Sequence, residues 1–236
     1  MNENREFYAV VPAAGAGSRM GADMPKQYLT LAGQTVLEHS LDVLLACERI
    51  ATVVLVLSAD DERWPEIRGR YTDDRVETVN GGAERCHSVL NGLDHLAGTV
   101  GVDDWVLVHD AARPCVRQQD IEMLMTRLED HEVGGLLGVP VADTMKQVDS
   151  DSMILKTVER DGLWRALTPQ MFRLGPLRDA LQQAIASGVM VTDDASAMEM
   201  AGYRARMVEG QADNIKITRP ADLQLAEFYL QSGKSL

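Results

Sequence analysis

The chain has 236 residues, enough for one domain with a substantial core, and its 45% hydrophobic and 25% charged content excludes a disordered or fibrous class. A formal net charge of -13 opposes nonspecific binding to nucleic acid or to an anionic membrane, so an anionic substrate has to be met by a local cluster of cations. No apolar run nears the roughly 20 residues of a membrane span, and "MNENREF" lacks the basic-then-apolar plan of a secretion signal, which predicts a cytoplasmic protein.

In chain order, the β-branched and aromatic runs "FYAVV", "TVVLVLS" from Thr52, "VETV" from Val76 and "WVLVHD" from Trp105 read as strands, with helical segments between them. After the first strand, Val36, Leu37, Leu41, Leu44 and Leu45 line one helical face, and Thr35 with Glu38 forms a T-x-x-E capping box at its start. Further helices are expected over about 85–96, 120–128, 177–186 and 194–200, with a last one from about Pro220 to Leu230. The alternation predicts an α/β fold, a mostly parallel twisted sheet with helices on both faces, in a single domain over residues 1–236. One segment breaks the rhythm: Thr144 to Gln170 reads as two short strands around the polar turn "DSDS". A two-stranded ribbon is barely stable in water, so an arm over 142–168 carrying Met153, Ile154, Leu155, Leu163 and Trp164 packs either on a second subunit, the favoured expectation, or back on its own domain.

The stretch "VVPAAGAGSRMGADMPKQYL", Val10 to Leu29, places Gly15 and Gly17 directly after a strand, where backbone N–H groups can approach an anion. The dinucleotide fingerprint G-x-G-x-x-G fails because Met20 holds its sixth position, and no G-K-[ST] follows for a P-loop. Pro25 opposes a continuous helix after the glycines, and Arg19 and Lys26 bracket the loop. Backbone donors with two cations suit a triphosphate whose charge shifts during phosphoryl chemistry; this stretch alone equally suits a surface loop with solvated basic residues.

Cys47, Cys86 and Cys115 are odd in number, widely spaced and without a C-x-x-C pair, which argues for reduced thiols over a disulfide framework or a zinc site. Cys86 stands beside His87, but neighbouring residues on a helix are expected to diverge, so the pair is not read as a thiol nucleophile with its base.

Together with the opening stretch, "GGAERCHSVLNGL", "VLVHDAARP", "DTMK", "LTPQ", "TDDASAME" and "EGQADNIKIT" resemble, in order and over nearly the whole chain, the successive motifs of 2-C-methyl-D-erythritol 4-phosphate cytidylyltransferases. The resemblance implies a Rossmann-like nucleotidyltransferase domain, a β-arm that forms a homodimer, and transfer of a cytidylyl group from CTP to methylerythritol phosphate with release of pyrophosphate. It places the transition-state cations on Arg19 and Lys26, and the nucleotide contacts on Ala13, Ala14, Gly15, Gly82, Arg85 and Ser88. Ala83 stands where some relatives carry aspartate, so a side-chain contact there is lost. For the second substrate it points to Thr144 and Arg160 on the arm, then to Thr168, Thr192 and Lys216, with Arg113 contributing to the anion site.

Asp110 ends the expected strand "WVLVHD", where parallel sheets present ligand-binding groups. It is read as a nucleotide-side residue near a magnesium ion; a ribose or polyol hydroxyl is a second possible partner, and a helix cap or turn is the bland alternative. His109 is read as structural, since attack by a substrate phosphate needs no imidazole base. The rival readings are a ribitol 5-phosphate cytidylyltransferase, whose loop would look much the same, and a nucleotide-binding module without catalysis.

Overall fold

The first apolar run forms β1 (Phe7–Pro12), and its side chains divide between two cores: Phe7, Ala9 and Val11 enter one, Val10 the other. This computed structural model describes residues 5–15, 24–71 and 73–233; Gly17 and Arg19 of the expected phosphate cradle lie outside them. The longer β4 (Ile50–Leu57) splits the same way, with Val53, Leu55 and Leu57 on one face and Val54 and Val56 on the other. Unbroken apolar runs are what a parallel sheet covered on both faces requires.

Beside β1 and β4 lie β5 (Val76–Asn80) and β6 (Trp105–Val108). Further out come β7 (Gly134–Pro140), β10 (Trp164–Arg173) and β11 (Arg206–Glu209). They make one seven-stranded sheet in the order β11-β7-β10-β6-β1-β4-β5. All neighbours are parallel except at β10, which runs antiparallel to both β6 and β7.

The first face is covered by α1 (Val36–Leu45) and α4 (Gln118–Leu128), through Leu37, Leu41, Ile121 and Leu124. The opposite face is covered by α3 (Arg85–Leu96), α5 (Leu174–Ala186) and α6 (Asp194–Met200), through Val89, Leu93, Leu177 and Met198. Each such side chain, fully withdrawn from water, contributes roughly 1.5–3 kcal/mol. The smaller elements are the hairpin β2 (Thr30–Leu31) with β3 (Gln34–Thr35), the short α2 (Trp64–Arg68), and α7 (Pro220–Gly233). Ala226 of α7 joins Leu31, Val36, Cys115 and Ile217 in a third apolar cluster, which fixes the segment leading to Lys216.

The capping box forms as expected: Glu38 N–H donates to Thr35 Oγ1 at 3.2 Å, and Thr35 N–H donates to Glu38 Oε2 at 2.7 Å. Burial alone would raise the Glu38 pKa, but those Thr35 bonds and Arg70 outweigh it and hold it below its ordinary value. The stability this carboxylate supplies is therefore present above its unfolded pKa and is lost as pH falls through the folded one.

The arm is narrower than 142–168. Strands β8 (Met145–Val148) and β9 (Ile154–Val158) pair around residues 149–153, whereas Trp164, Arg165 and Ala166 pair with β7 and so extend the main sheet. Register explains the difference: the same β10 that meets β7 there continues to Gln170, opposite Val108 of β6.

Candidate active site

A cleft of about 440 Å³ opens where β1, β4, β5 and β6 end at their carboxyl edges, the position at which open α/β sheets bind ligands. Its floor is the turn after β1, Ala13, Ala14 and Gly15. That turn is held from two sides: Ala13 N–H donates to Val56 O at 2.8 Å, and Gln27 Nε2 donates to Ala13 O at 2.6 Å and Gly15 O at 3.2 Å. Pro25 precedes a single 3-10 turn, Lys26–Tyr28, so the chain reverses there and brings Lys26 into the cleft lining, with its Nζ 3.1 Å from Ile217 O.

The second wall is the loop into α3. A Cβ on Gly81 would stand 2.4 Å from Ala14 Cβ, so only glycine lets this loop lie against the first one. Gly82 N–H then donates to Ser88 Oγ at 3.1 Å, and Gly82, Arg85 and Ser88 all line the cleft, with Ala83 and Glu84 between. Because the first turn of a helix has N–H groups without intrahelical partners, this edge offers donors to an anion beside the Ala13–Gly15 turn.

The third wall carries the charge. Asp110 Oδ1 accepts from Arg85 Nε at 2.9 Å; Asp110 Oδ2 lies 2.9 Å from Lys216 Nζ and 3.6 Å from Arg113 Nε. Burial would raise the Asp110 pKa, but Arg85, Lys216 and Arg113 outweigh it and hold the carboxyl far below the usual range, so Asp110 is ionised at neutral pH. Burial likewise opposes the Arg85 charge, and Asp194 and Asp110 together raise its pKa above the ordinary value. With Lys26, Arg85 and Lys216 lining it, the cleft gathers cations in a chain whose net charge is -13.

His109, fully buried, is structural as expected. Its Nε2 lies 3.2 Å from Arg113 O, which can only accept, so the ring proton sits on Nε2 and Nδ1 accepts from Thr168 Oγ1 at 3.0 Å. Burial pushes the imidazole down to about 4.

Apart from Arg19, which lies outside the described residues, the expected site residues fall into three groups. Ala13, Ala14, Gly15, Lys26, Gly82, Arg85, Ser88, Asp110, Thr192 and Lys216 meet in one cleft. Thr168 and Arg113 stand behind it: the buried Thr168 hydroxyl is spent on His109 and on Asp110 N–H at 3.1 Å, and Arg113 is turned to Asp110 and to Asn214 O at 2.8 Å. Neither residue lines the cleft; both are bonded to Asp110 or to the residues around it. Thr144 and Arg160 are exposed at the arm, away from their own chain's cleft, with Arg160 Nη1 donating to Ala142 O.

Four further polar residues around the cleft, Gln27, Gln170, Asp194 and Asn214, are buried and are not among those expected from sequence. All four lie inside quoted motifs, but nothing in a sequence says that an amide folds back onto a turn. The Cys86–His87 expectation also changes: Cys86 Sγ lies 3.8 Å from His87 Nδ1 in the first turn of α3, where the two side chains meet instead of diverging. With Glu84 they form the single metal-like cluster found among the described residues, of thiol, imidazole and carboxylate donors that suit magnesium poorly. Asp110 suits magnesium better: it is ionised, and the bonds from Arg85 and Lys216 leave lone pairs on both oxygens.

Residues 7–232 match the family model for 2-C-methyl-D-erythritol 4-phosphate cytidylyltransferase. A protein of that name from Hahella chejuensis is 52% identical over 229 residues, covering 97% of this chain and 95% of its own. Another from Haemophilus influenzae is 50% identical over 230 residues, covering 98% and 99%. Among solved structures, a 4-diphosphocytidyl-2C-methyl-D-erythritol synthase superposes with a TM-score of 0.83 at 36% identity, covering 96% of this chain and 99% of that one. The Francisella tularensis cytidylyltransferase does so with a TM-score of 0.81 at 36% identity, covering 95% and 99%.

Proposed function

The chain belongs to the 2-C-methyl-D-erythritol 4-phosphate cytidylyltransferase family, and from that premise we propose how its cleft carries out the reaction. The enzyme transfers the cytidylyl group of CTP to 2-C-methyl-D-erythritol 4-phosphate. The products are 4-diphosphocytidyl-2-C-methyl-D-erythritol, an intermediate on the non-mevalonate route to isoprenoid precursors, and pyrophosphate.

A phosphate oxygen of methylerythritol phosphate attacks the α-phosphorus of CTP in line; the new P–O bond forms as the bond from the α-phosphorus to the β-phosphate's bridging oxygen breaks. The nucleophile is already ionised, so no base and no covalent enzyme intermediate is needed. The protein's task is to bring two anions together and to stabilise the departing pyrophosphate. Lys26, assisted by Arg19, meets the charge that builds on the leaving group, while the Ala13–Gly15 turn and the Gly82–Ser88 edge hold the nucleotide through backbone groups. Lys216 and Thr192 face the acceptor. Asp110 would hold a magnesium ion, whose chemistry there would be to neutralise phosphate charge further.

The observation that carries this reading is the convergence of Lys26, Arg85 and Lys216 on one cleft at the sheet's carboxyl edge in an otherwise acidic body. The test is product identification after incubation with CTP, magnesium and either methylerythritol phosphate or ribitol 5-phosphate. Pyrophosphate and the methylerythritol product are expected to form about tenfold or more faster than the ribitol product. Equal or preferential use of ribitol 5-phosphate would overturn the assignment.

We also propose that the enzyme works as a cytoplasmic homodimer through the arm. The ribbon exposes Met153 at 66%, Ile154 at 65% and Leu155 at 60%, an apolar stripe too large for a lone hairpin in water. A second subunit would bury it and bring Thr144 and Arg160 to the partner's cleft. Its three thiols are unpaired, in keeping with a reducing compartment. Sedimentation equilibrium is expected to give a dimer that Leu155→Glu dissociates, with a fall in turnover. A monomeric, fully active wild type would contradict it.

A further inference from the structure

Asp194 has no part in the reaction as described, yet its side chain is fully buried beside the cleft without lining it. Both of its oxygens take Arg85: Nη1 donates to Oδ1 at 3.0 Å and Nη2 to Oδ2 at 2.8 Å. A third guanidinium donor, Nε, goes to Asp110 Oδ1 at 2.9 Å. A planar guanidinium forked onto one carboxylate has a fixed plane, so the direction of its Nε–H is fixed as well.

A second strut reaches the same turn. Gln170 Nε2 donates to Asp193 Oδ2 at 2.8 Å, and Gln170 Oε1 accepts from Ala195 N–H at 2.8 Å. Gln170 lies on β10 opposite Val108, the last residue of β6, two positions before Asp110. The loop bearing Thr192 is therefore tied to the Asp110 strand end twice, once through Gln170 and once through the Asp194–Arg85 fork.

We propose that Asp194 is a positioning residue for cytidylyl transfer: through Arg85 it fixes the orientation of Asp110 and sets the distance between Asp110 and the loop that carries Thr192. Stability is a poor reason for such a pair, because a buried ion pair is often no better than an apolar one of the same volume. Three of the five Arg85 N–H donors go to two carboxylates, so its guanidinium is held in place by Asp194 and Asp110 before any substrate binds. Without Asp194 the two freed Nη groups would turn toward Asp110 or a substrate phosphate, holding substrate in the wrong register and slowing transfer more than binding.

This inference rests on the cytidylyltransferase reading, and its test separates the two. In steady-state kinetics with CTP and methylerythritol phosphate, Asp194→Asn is expected to lower kcat about tenfold or more while the KM for CTP stays within about threefold. Asp194→Glu, which restores a carboxylate, is expected to recover at least about a third of the wild-type kcat. A folded Asp194→Asn enzyme with kcat within about twofold of wild type would overturn the proposal. Should that variant fail to fold, nitrogen-15 NMR of the wild-type Arg85 Nε–H decides the matter. A resonance protected from solvent exchange both free and with CTP bound is expected, and rapid exchange or its loss on CTP binding would refute the fork. A wild type inactive toward both polyol phosphates would instead bring down the functional reading, while the NMR measurement would still judge the fork.

Discussion

Lys26→Ala is expected to reduce turnover by on the order of a hundredfold or more with the fold unchanged. The magnitude follows from where the charge sits. Lys26 lies in the cleft on a turn set by Pro25, and the Ile217 carbonyl 3.1 Å from its Nζ orients it next to the segment that carries Lys216. A preoriented cation in a partly enclosed site acts on charge that develops as the pyrophosphate leaves, so its loss falls mainly on kcat. Single-turnover measurement on the variant at saturating substrate isolates that step. A chemical rate equal to that of wild type would remove Lys26 from the mechanism. Lys26→Arg tests the geometry separately: it keeps the charge but spreads it over a planar fork, and is expected to restore only part of the rate.

Asp110→Asn is expected to damage both rate and stability. Its carboxylate is the shared partner of Arg85, Lys216 and Arg113, and neutralising it leaves three cations facing one another at the end of β6. Removing one member of a buried charge cluster costs about 3–5 kcal/mol, and a mis-set acceptor site should lower turnover on the order of a hundredfold. Chemical denaturation and steady-state kinetics read the two effects. A variant with wild-type midpoint and rate would show that the cations are satisfied elsewhere. The pH dependence has a definite sign. The Asp110 pKa is depressed in the folded state, so the stability it contributes is present above its unfolded value near 3.8 and is lost only as pH falls below it. Asp110 therefore adds no acid limb to the activity profile near neutrality.

Much of the site was legible because chemistry and local geometry coincide in the same residues. The Ala13–Gly15 turn, Lys26, Gly82 and Ser88 lie in short segments whose glycines and proline dictate the chain path, and Asp110 follows a strand whose four residues are all buried. What stayed hidden depends on long-range pairing. β7, "GGLLGVP", is not among the strands expected from sequence, and a Cβ on Gly135 would lie 2.0 Å from Arg206 O of β11. Its glycine content reflects close approach of neighbouring strands, which no local period encodes. The same holds for β10, whose polar Gln170 and Thr168 sit in the sheet because they bond to Asp193, Ala195 and His109, residues distant in the chain. The family resemblance points to Thr168 and Arg113 as substrate residues, but no motif encodes that their side chains also bond Asp110 and its neighbours across the fold.

Everything in this mechanism depends on one cationic cleft, floored by the backbone after β1, holding the triphosphate. A crystal soaked with CTP tests it most directly. The phosphates are expected between the Ala13–Gly15 turn and the Lys26 ammonium, with the base against the Gly82–Ser88 edge. Nucleotide density outside this cleft, with Lys26 and Lys216 remote from every phosphate, would contradict it.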